Sequence, residues 1–182
     1  MKTTTCSTPT TISLGQYPSA EGYKKALIDF RDGTQFDRPL TLCPTAKGLD
    51  FEVSQNKIAL PIVQVRLGDL SEGPIAAYQI FERAEEKGLQ ELPIEAAYAL
   101  RMAIPLQGYD EPITVGTWVS SPEISGDNYL LRLERRGDGN RWLHAIPLHY
   151  IHKGGFEDWM AEKNPEPYPF WDPDSVFLFT KK

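Results

Sequence analysis

Asn128-Tyr-Leu-Leu-Arg-Leu-Glu-Arg-Arg-Gly-Asp-Gly-Asn-Arg-Trp-Leu-His-Ala-Ile-Pro-Leu-His-Tyr-Ile151 reads as two strand-forming runs folded back on each other at Asp138-Gly139. That dipeptide suits a two-residue type I′ turn, whose central residues both need positive φ. A turn there places Gly137 opposite Asn140 and predicts the facing pairs Arg136 with Arg141, Arg135 with Trp142, Leu133 with His144, and Leu131 with Ile146. Side chains alternate between the faces of a strand. The pairing therefore predicts a core face of Tyr129, Leu131, Leu133, Trp142, His144, Ile146, Leu148 and Tyr150, with Arg132, Glu134, Arg136 and Arg141 in solvent.

Upstream, Ile113, Val115, Thr117 and Val119 alternate with Thr114, Gly116 and Trp118, which predicts a third strand and an antiparallel meander with the hairpin. Two segments before it, 74–87 and 93–103, each open on a proline and space their apolar residues as helices do. They are expected to pair as a helical hairpin. Ile58 to Leu67 is apolar on both parities, as a strand covered on both faces would be, but Pro61 donates no ladder hydrogen bond and points to a bulge or an edge. Shorter strand-forming runs occur at 40–43 and 49–53. Ser19 offers an N-cap for a short helix carrying Tyr23, Ala26, Leu27 and Phe30, stopped at Asp32-Gly33.

Residues 1–16, rich in Thr and Ser over most of their length, are expected to form a flexible arm, or a strand only where a sheet edge receives them. Downstream of the hairpin, Gly154-Gly155 closes its second strand, and Phe156 to Lys163 suits a short helix. The Pro-rich run from Asn164 to Asp174 carries Tyr168, Phe170 and Trp171, and 175–180 suits a last strand. The fold class expected is α+β: residues 17–182 as one domain, a mainly antiparallel sheet with the helical hairpin packed on one face.

The chain has 182 residues, 41% of them hydrophobic, enough for one sizeable core. A formal charge of −6 argues against bulk attraction to nucleic acid or anionic lipid. Cys6 and Cys43 form no Cys-x-x-Cys pair and are read as reduced thiols. With neither a span of about 20 apolar residues nor a signal-like N-terminus, the expected location is the cytoplasm, without membrane contact.

Motif chemistry is sparse. His144, His149 and His152 are the only histidines, but on an extended strand His144 and His149 point to opposite faces, so no metal site is expected. There is no Gly-x-Ser-x-Gly elbow and no phosphate loop, so no catalytic residue or cofactor is assigned. What stands out is arginine density near the hairpin turn: Arg132, Arg135, Arg136 and Arg141, with Trp142 able to stack on a base or on Arg135. Those residues, with Tyr168, Phe170 and Trp171 as a second surface, make the expected function non-enzymatic binding within a larger assembly. The expected partner is an acidic protein surface or nucleic acid. A small hydrolase or transferase with residues scattered through the sequence is the alternative.

Overall fold

The computed structural model describes residues 10–29, 34–36, 51–72, 77–104, 112–121, 127–135, 139–147 and 173–182. Its centre is the expected meander. Strand β6 (Ile113–Ser121) pairs antiparallel with β7 (Asp127–Arg135), which pairs antiparallel with β8 (Arg141–Pro147). The sheet then extends both ways. On one side β2 (Thr34–Phe36) lies parallel to β8. On the other, β9 (Val176–Lys181) lies parallel to β6 and carries β4 (Val63–Arg66) and the two-residue β5 (Leu89–Gln90) in succession along its far edge, both antiparallel. The result is a mixed seven-stranded sheet, ordered β2-β8-β7-β6-β9-β4 with β5 beside β9. The two parallel contacts join strands distant in sequence, because a parallel neighbour requires a crossover where a hairpin return cannot serve.

The segment 58–67 does not remain one strand. Ile58–Pro61 (β3) pairs antiparallel with Thr11–Leu14 (β1) in a separate two-stranded sheet, and after Ile62 the chain enters the large sheet as β4. Pro61, paired with Thr11, is the last residue of β3, and the next amide, that of Ile62, donates to the Thr10 carbonyl at 2.9 Å. The residue without an N–H thus marks the point where the chain changes sheets. From Thr11 onward the N-terminal segment does find a sheet edge, and it buries Ile12 and Leu14.

Three α-helices are present among the described residues: α1 (Ala20–Asp29), α2 (Ala77–Glu86) and α3 (Ile94–Ala103). Ser19 caps α1 as expected, its Oγ accepting from the Gly22 amide at 3.1 Å and its carbonyl from the Tyr23 amide at 3.2 Å. The expected pairing of α2 with α3 is corrected, because the two helices contribute to separate cores. Leu131, Leu133, Leu143, Val115 and Leu178 meet α1 and α3 in one cluster, whereas Leu130, Phe177, Phe179 and Val65 meet Ile80 and Ala84 of α2 in another. Adjacent residues of one strand point oppositely, so the clusters lie on opposite faces of the sheet. The connection through Leu89–Gln90 runs along β9 and carries the chain from one face to the other. Phe177, Leu178 and Phe179 are all fully buried, as a strand sandwiched between two helical layers must be.

A bulge shapes the middle of the sheet. Val115 faces Leu131 but Trp118 faces Leu130, so Gly116 and Thr117 are extra on β6. A Cβ on Gly116 would stand 2.5 Å from the Leu178 carbonyl oxygen and 2.6 Å from the Phe179 ring, and the Gly116 carbonyl accepts from the Leu92 amide at 2.8 Å just before α3. Among the described residues no helix is long and apolar enough to cross a membrane.

Two substitutions probe this packing. Gly116→Ala should lower stability by about 1 to 3 kcal/mol through overpacking against backbone. Leu133→Ala, at a fully buried position, should cost roughly 2 to 5 kcal/mol. Chemical denaturation of each variant measures both.

Candidate functional site

The hairpin closes one residue out of the expected register, and this rearranges the arginines. Arg135 faces Arg141, Glu134 faces Trp142, Leu133 faces Leu143, Arg132 faces His144, and Leu131 faces Ala145. The paired strands end at Arg135 and begin again at Arg141, so five residues separate them where two were expected. Gly139 takes the positive φ of +88° that the sequence led us to expect, but within this longer loop. A slip of one residue turns over every side chain of the second strand. Leu143 and Ala145 enter the core, while Trp142, His144 and the half-buried Ile146 move to the face of Arg132 and Glu134. The expected placement of Trp142, His144 and Ile146 on the face of Leu131 and Leu133 is thus corrected, and Ile146 packs instead against the second cluster beside Leu130. The underlying cause is core volume: Leu143 and Ala145 fit beneath the helical layer beside Leu131 and Leu133.

Arg141 is corrected with them. Expected in solvent, it is 3% exposed, on the same face as Leu143. Arg135, half-buried, lies directly opposite it. The fully buried Arg101 of α3 reaches the same end of the sheet, donating to the Glu134 carbonyl at 3.5 Å and to the Ile104 carbonyl.

On the other face Arg132 and His144 share one carboxylate. Glu134 Oε2 stands 3.3 Å from an Arg132 terminal nitrogen and 3.4 Å from His144 Nε2. The imidazole stacks on the Trp142 indole with centroids 5.1 Å apart and planes 8° from parallel. Arg132, expected to be exposed, is half-buried. This face combines a guanidinium, an imidazole and an indole around one acid, a set able to hold a planar or anionic group by hydrogen bonding and stacking. Arg136, Tyr168, Phe170, Trp171, His149, His152, Leu148, Tyr150, Cys6 and Cys43 lie outside the described residues.

The most constrained ionisable group is one the sequence reading passed over. Glu95, in the first turn of α3, is fully buried. Its Oε1 accepts from the Tyr23 hydroxyl at 2.5 Å and the Gly15 amide at 2.6 Å, and its Oε2 accepts from the Ser54 amide at 2.8 Å. Burial by itself pushes the carboxyl up, but the hydrogen bonds from Tyr23, Ser54 and Gly15 together outweigh it and hold the group below its ordinary value of 4.5. Burial, followed by the hydrogen bond to this carboxylate, pushes the Tyr23 phenol well above its ordinary 10.0. Gly15 has φ +68° and passes so close to the 54–56 segment that a Cβ would lie 2.3 Å from the Asn56 carbonyl oxygen. With both oxygens engaged and its side chain fully buried, Glu95 is a tie between segments and not an acid–base group open to substrate. The signal was in the sequence: Glu95 and Arg101 are the only charges in Ile-Glu-Ala-Ala-Tyr-Ala-Leu-Arg-Met-Ala, a helix otherwise apolar all round and buried throughout from Glu95 to Arg101.

Removing that carboxylate should be costly. Glu95→Ala leaves the buried Tyr23 hydroxyl without its acceptor, at about 1 to 3 kcal/mol, and less for the partly buried Gly15 and Ser54 amides. Because the folded-state pKa is depressed, the contribution of Glu95 is fully present above pH 4.5 and is lost as pH falls below it. Tyr23, with a raised pKa, acts in the opposite sense: its contribution is intact below pH 10.0 and is lost as pH climbs beyond. Melting temperature measured against pH should therefore show a flatter acid limb in Glu95→Gln and a flatter alkaline limb in Tyr23→Phe. No family model, curated protein or solved structure matches this chain.

Proposed function

We propose that the chain is a non-enzymatic binding or accessory protein that engages an anionic partner, an acidic protein surface or a nucleic acid, through the end of the β7–β8 hairpin. The observation that carries this reading is the charge at that end. Arg132 projects from one face of the sheet and Arg135 from the other, Arg141 and Arg101 back the second face, and residues 131–145 carry four arginines against the two carboxylates Glu134 and Asp138. In a chain of net charge −6, an anion is repelled by most of the surface and drawn to such a spot. Arg132, Arg135 and Trp142 are the contact residues proposed, joined by Arg136, while Arg141 is too deeply buried to reach a partner. A buried guanidinium there raises the local potential that an approaching phosphate or carboxylate meets.

The enzymatic alternative, a small hydrolase or transferase, draws its support from the Glu134–His144 contact, since a carboxylate beside an imidazole is how a general base is oriented. Two features weigh against it. The same carboxylate oxygen also serves Arg132, and the imidazole is stacked flat on Trp142.

The test uses two fluorescein-labelled probes of similar charge, an oligothymidylate and an oligoglutamate peptide, with the full chain and its Arg132→Gln/Arg135→Gln variant. Binding to at least one probe at low salt is expected, several-fold weaker in the variant. If the oligothymidylate binds, its log–log salt slope should fall by about 0.7 for each lost phosphate contact. Equal affinity of the two proteins, or no binding of either probe, would overturn the reading.

A further inference from the structure

The side of the β7–β8 hairpin that carries Arg132 sets aromatic rings beside its charge. Arg132 lies opposite His144 and Glu134 opposite Trp142, so these four side chains share one face of the sheet. The next strand adds an amide. Gln35 of β2 pairs with Trp142; its neighbour Thr34 is buried and Phe36 packs against the α1–α3 cluster, so Gln35 turns to the Trp142 side, where it is exposed.

The ring stack has a direction. His144 lies against one face of the Trp142 indole, with centroids 5.1 Å apart and planes 8° from parallel. Because His144 is two residues farther from the hairpin connection, the other face of the indole is turned toward that connection, where Asn140 is exposed. Trp142 is itself partly exposed, and Arg132 keeps 31% of its side-chain surface in solvent. The two are diagonal neighbours across the strand pair, about 7 to 8 Å apart, a spacing that the long guanidinium side chain spans.

Charge by itself recruits little to this face. Glu134 Oε2 stands 3.3 Å from an Arg132 terminal nitrogen, and the same carboxylate repels phosphate and acidic side chains alike. A partner that brings charge alone is poorly served here, whereas one that also brings a flat ring gains from the indole.

We propose, resting on the anionic-partner reading above, that the partner is single-stranded nucleic acid: a base extends the His144–Trp142 stack on the side of the connection, Gln35 meets the base edge, and Arg132 meets the adjoining phosphate. A base offers its face to a side chain only where it is unpaired and splayed from its neighbours, which selects single strand over duplex. The Gln35 amide both donates and accepts, as a base edge requires, and the guanidinium has five N–H donors, of which Glu134 engages one terminal nitrogen. An acidic protein segment has carboxylates for Arg132 but no such ring for Trp142.

Anisotropy at low salt compares fluorescein-labelled oligothymidylate, an abasic oligomer of the same length and charge, and oligoglutamate on the full chain. Oligothymidylate is expected to bind about tenfold tighter than the abasic oligomer, the size of a base–aromatic stack. Trp142→Leu should erase that preference and Trp142→Phe should keep most of it, with circular dichroism checking the fold of each, while Gln35→Ala should narrow the preference and leave abasic affinity unchanged. Equal affinity for oligothymidylate and the abasic oligomer on the natural chain would overturn base stacking and leave the anionic-partner reading standing. A preference that survives Trp142→Leu would overturn this site, and tighter binding of oligoglutamate would overturn the nucleic-acid assignment in favour of an acidic protein. Binding of no probe would overturn both readings together.

Discussion

The Glu95 carboxylate joins, by hydrogen bonds, parts of the chain that also pack into one hydrophobic cluster. Its two oxygens receive the Gly15 amide from the end of β1, the Tyr23 hydroxyl from α1 and the Ser54 amide from the segment before β3, while its own backbone begins α3. Taking a carboxylate out of water is expensive, and it stays charged in a protein interior only where several donors replace the lost hydration. Each donor here comes from a different stretch of sequence, so the ion can be satisfied only when all of them have arrived. That requirement gives the N-terminal strand and α1 a fixed place over one face of the sheet. The aromatic rings nearby complete the site: Tyr23 packs edge-on with Tyr17 and Tyr98, and Phe51 lies against Tyr98.

The sheet itself is organised by a different constraint, its burial on two faces. β9 supplies Leu178 to the α1–α3 side and Phe177 and Phe179 to the α2 side, so this strand must be in place for either core to close. The bulge at Gly116 belongs to the same arrangement. It lets β6 pass against β9 without a side chain in the gap, and its carbonyl anchors the chain leading into α3.

Much of the local structure was legible in the residues. Ser19 announced the start of α1, the prolines at 74 and 93 lay close before the next two helices, and the alternation in 113–119 and the run 176–179 read as strands, as they are. Pro61 marked a break, and the break is real. What failed was register. Asp138-Gly139 favoured a two-residue turn strongly enough to fix a pairing, yet the longer connection places Leu143 and Ala145 against the α1–α3 layer and turns Trp142 and His144, both half-buried, to the opposite face. Local turn preference is a matter of about 1 kcal/mol, whereas burying a leucine is a matter of about 2, and here the core decided.

The sequence by itself therefore determined the helices and most of the strands, the α+β class, and the clustering of arginines near one turn, because these depend on neighbours a few residues apart. Tertiary structure alone decided which face each helix covers, that β9 runs parallel to β6, that Arg141 is buried, and that Glu95 is the tie across the N-terminal half. Those features depend on contacts between residues tens of positions apart, such as Gly15 with Glu95, and the energy of such contacts appears only when the burial of both partners is known. A one-residue slip costs nothing in local propensity and reverses an entire strand, so it is settled by the volume the opposing helices leave to be filled.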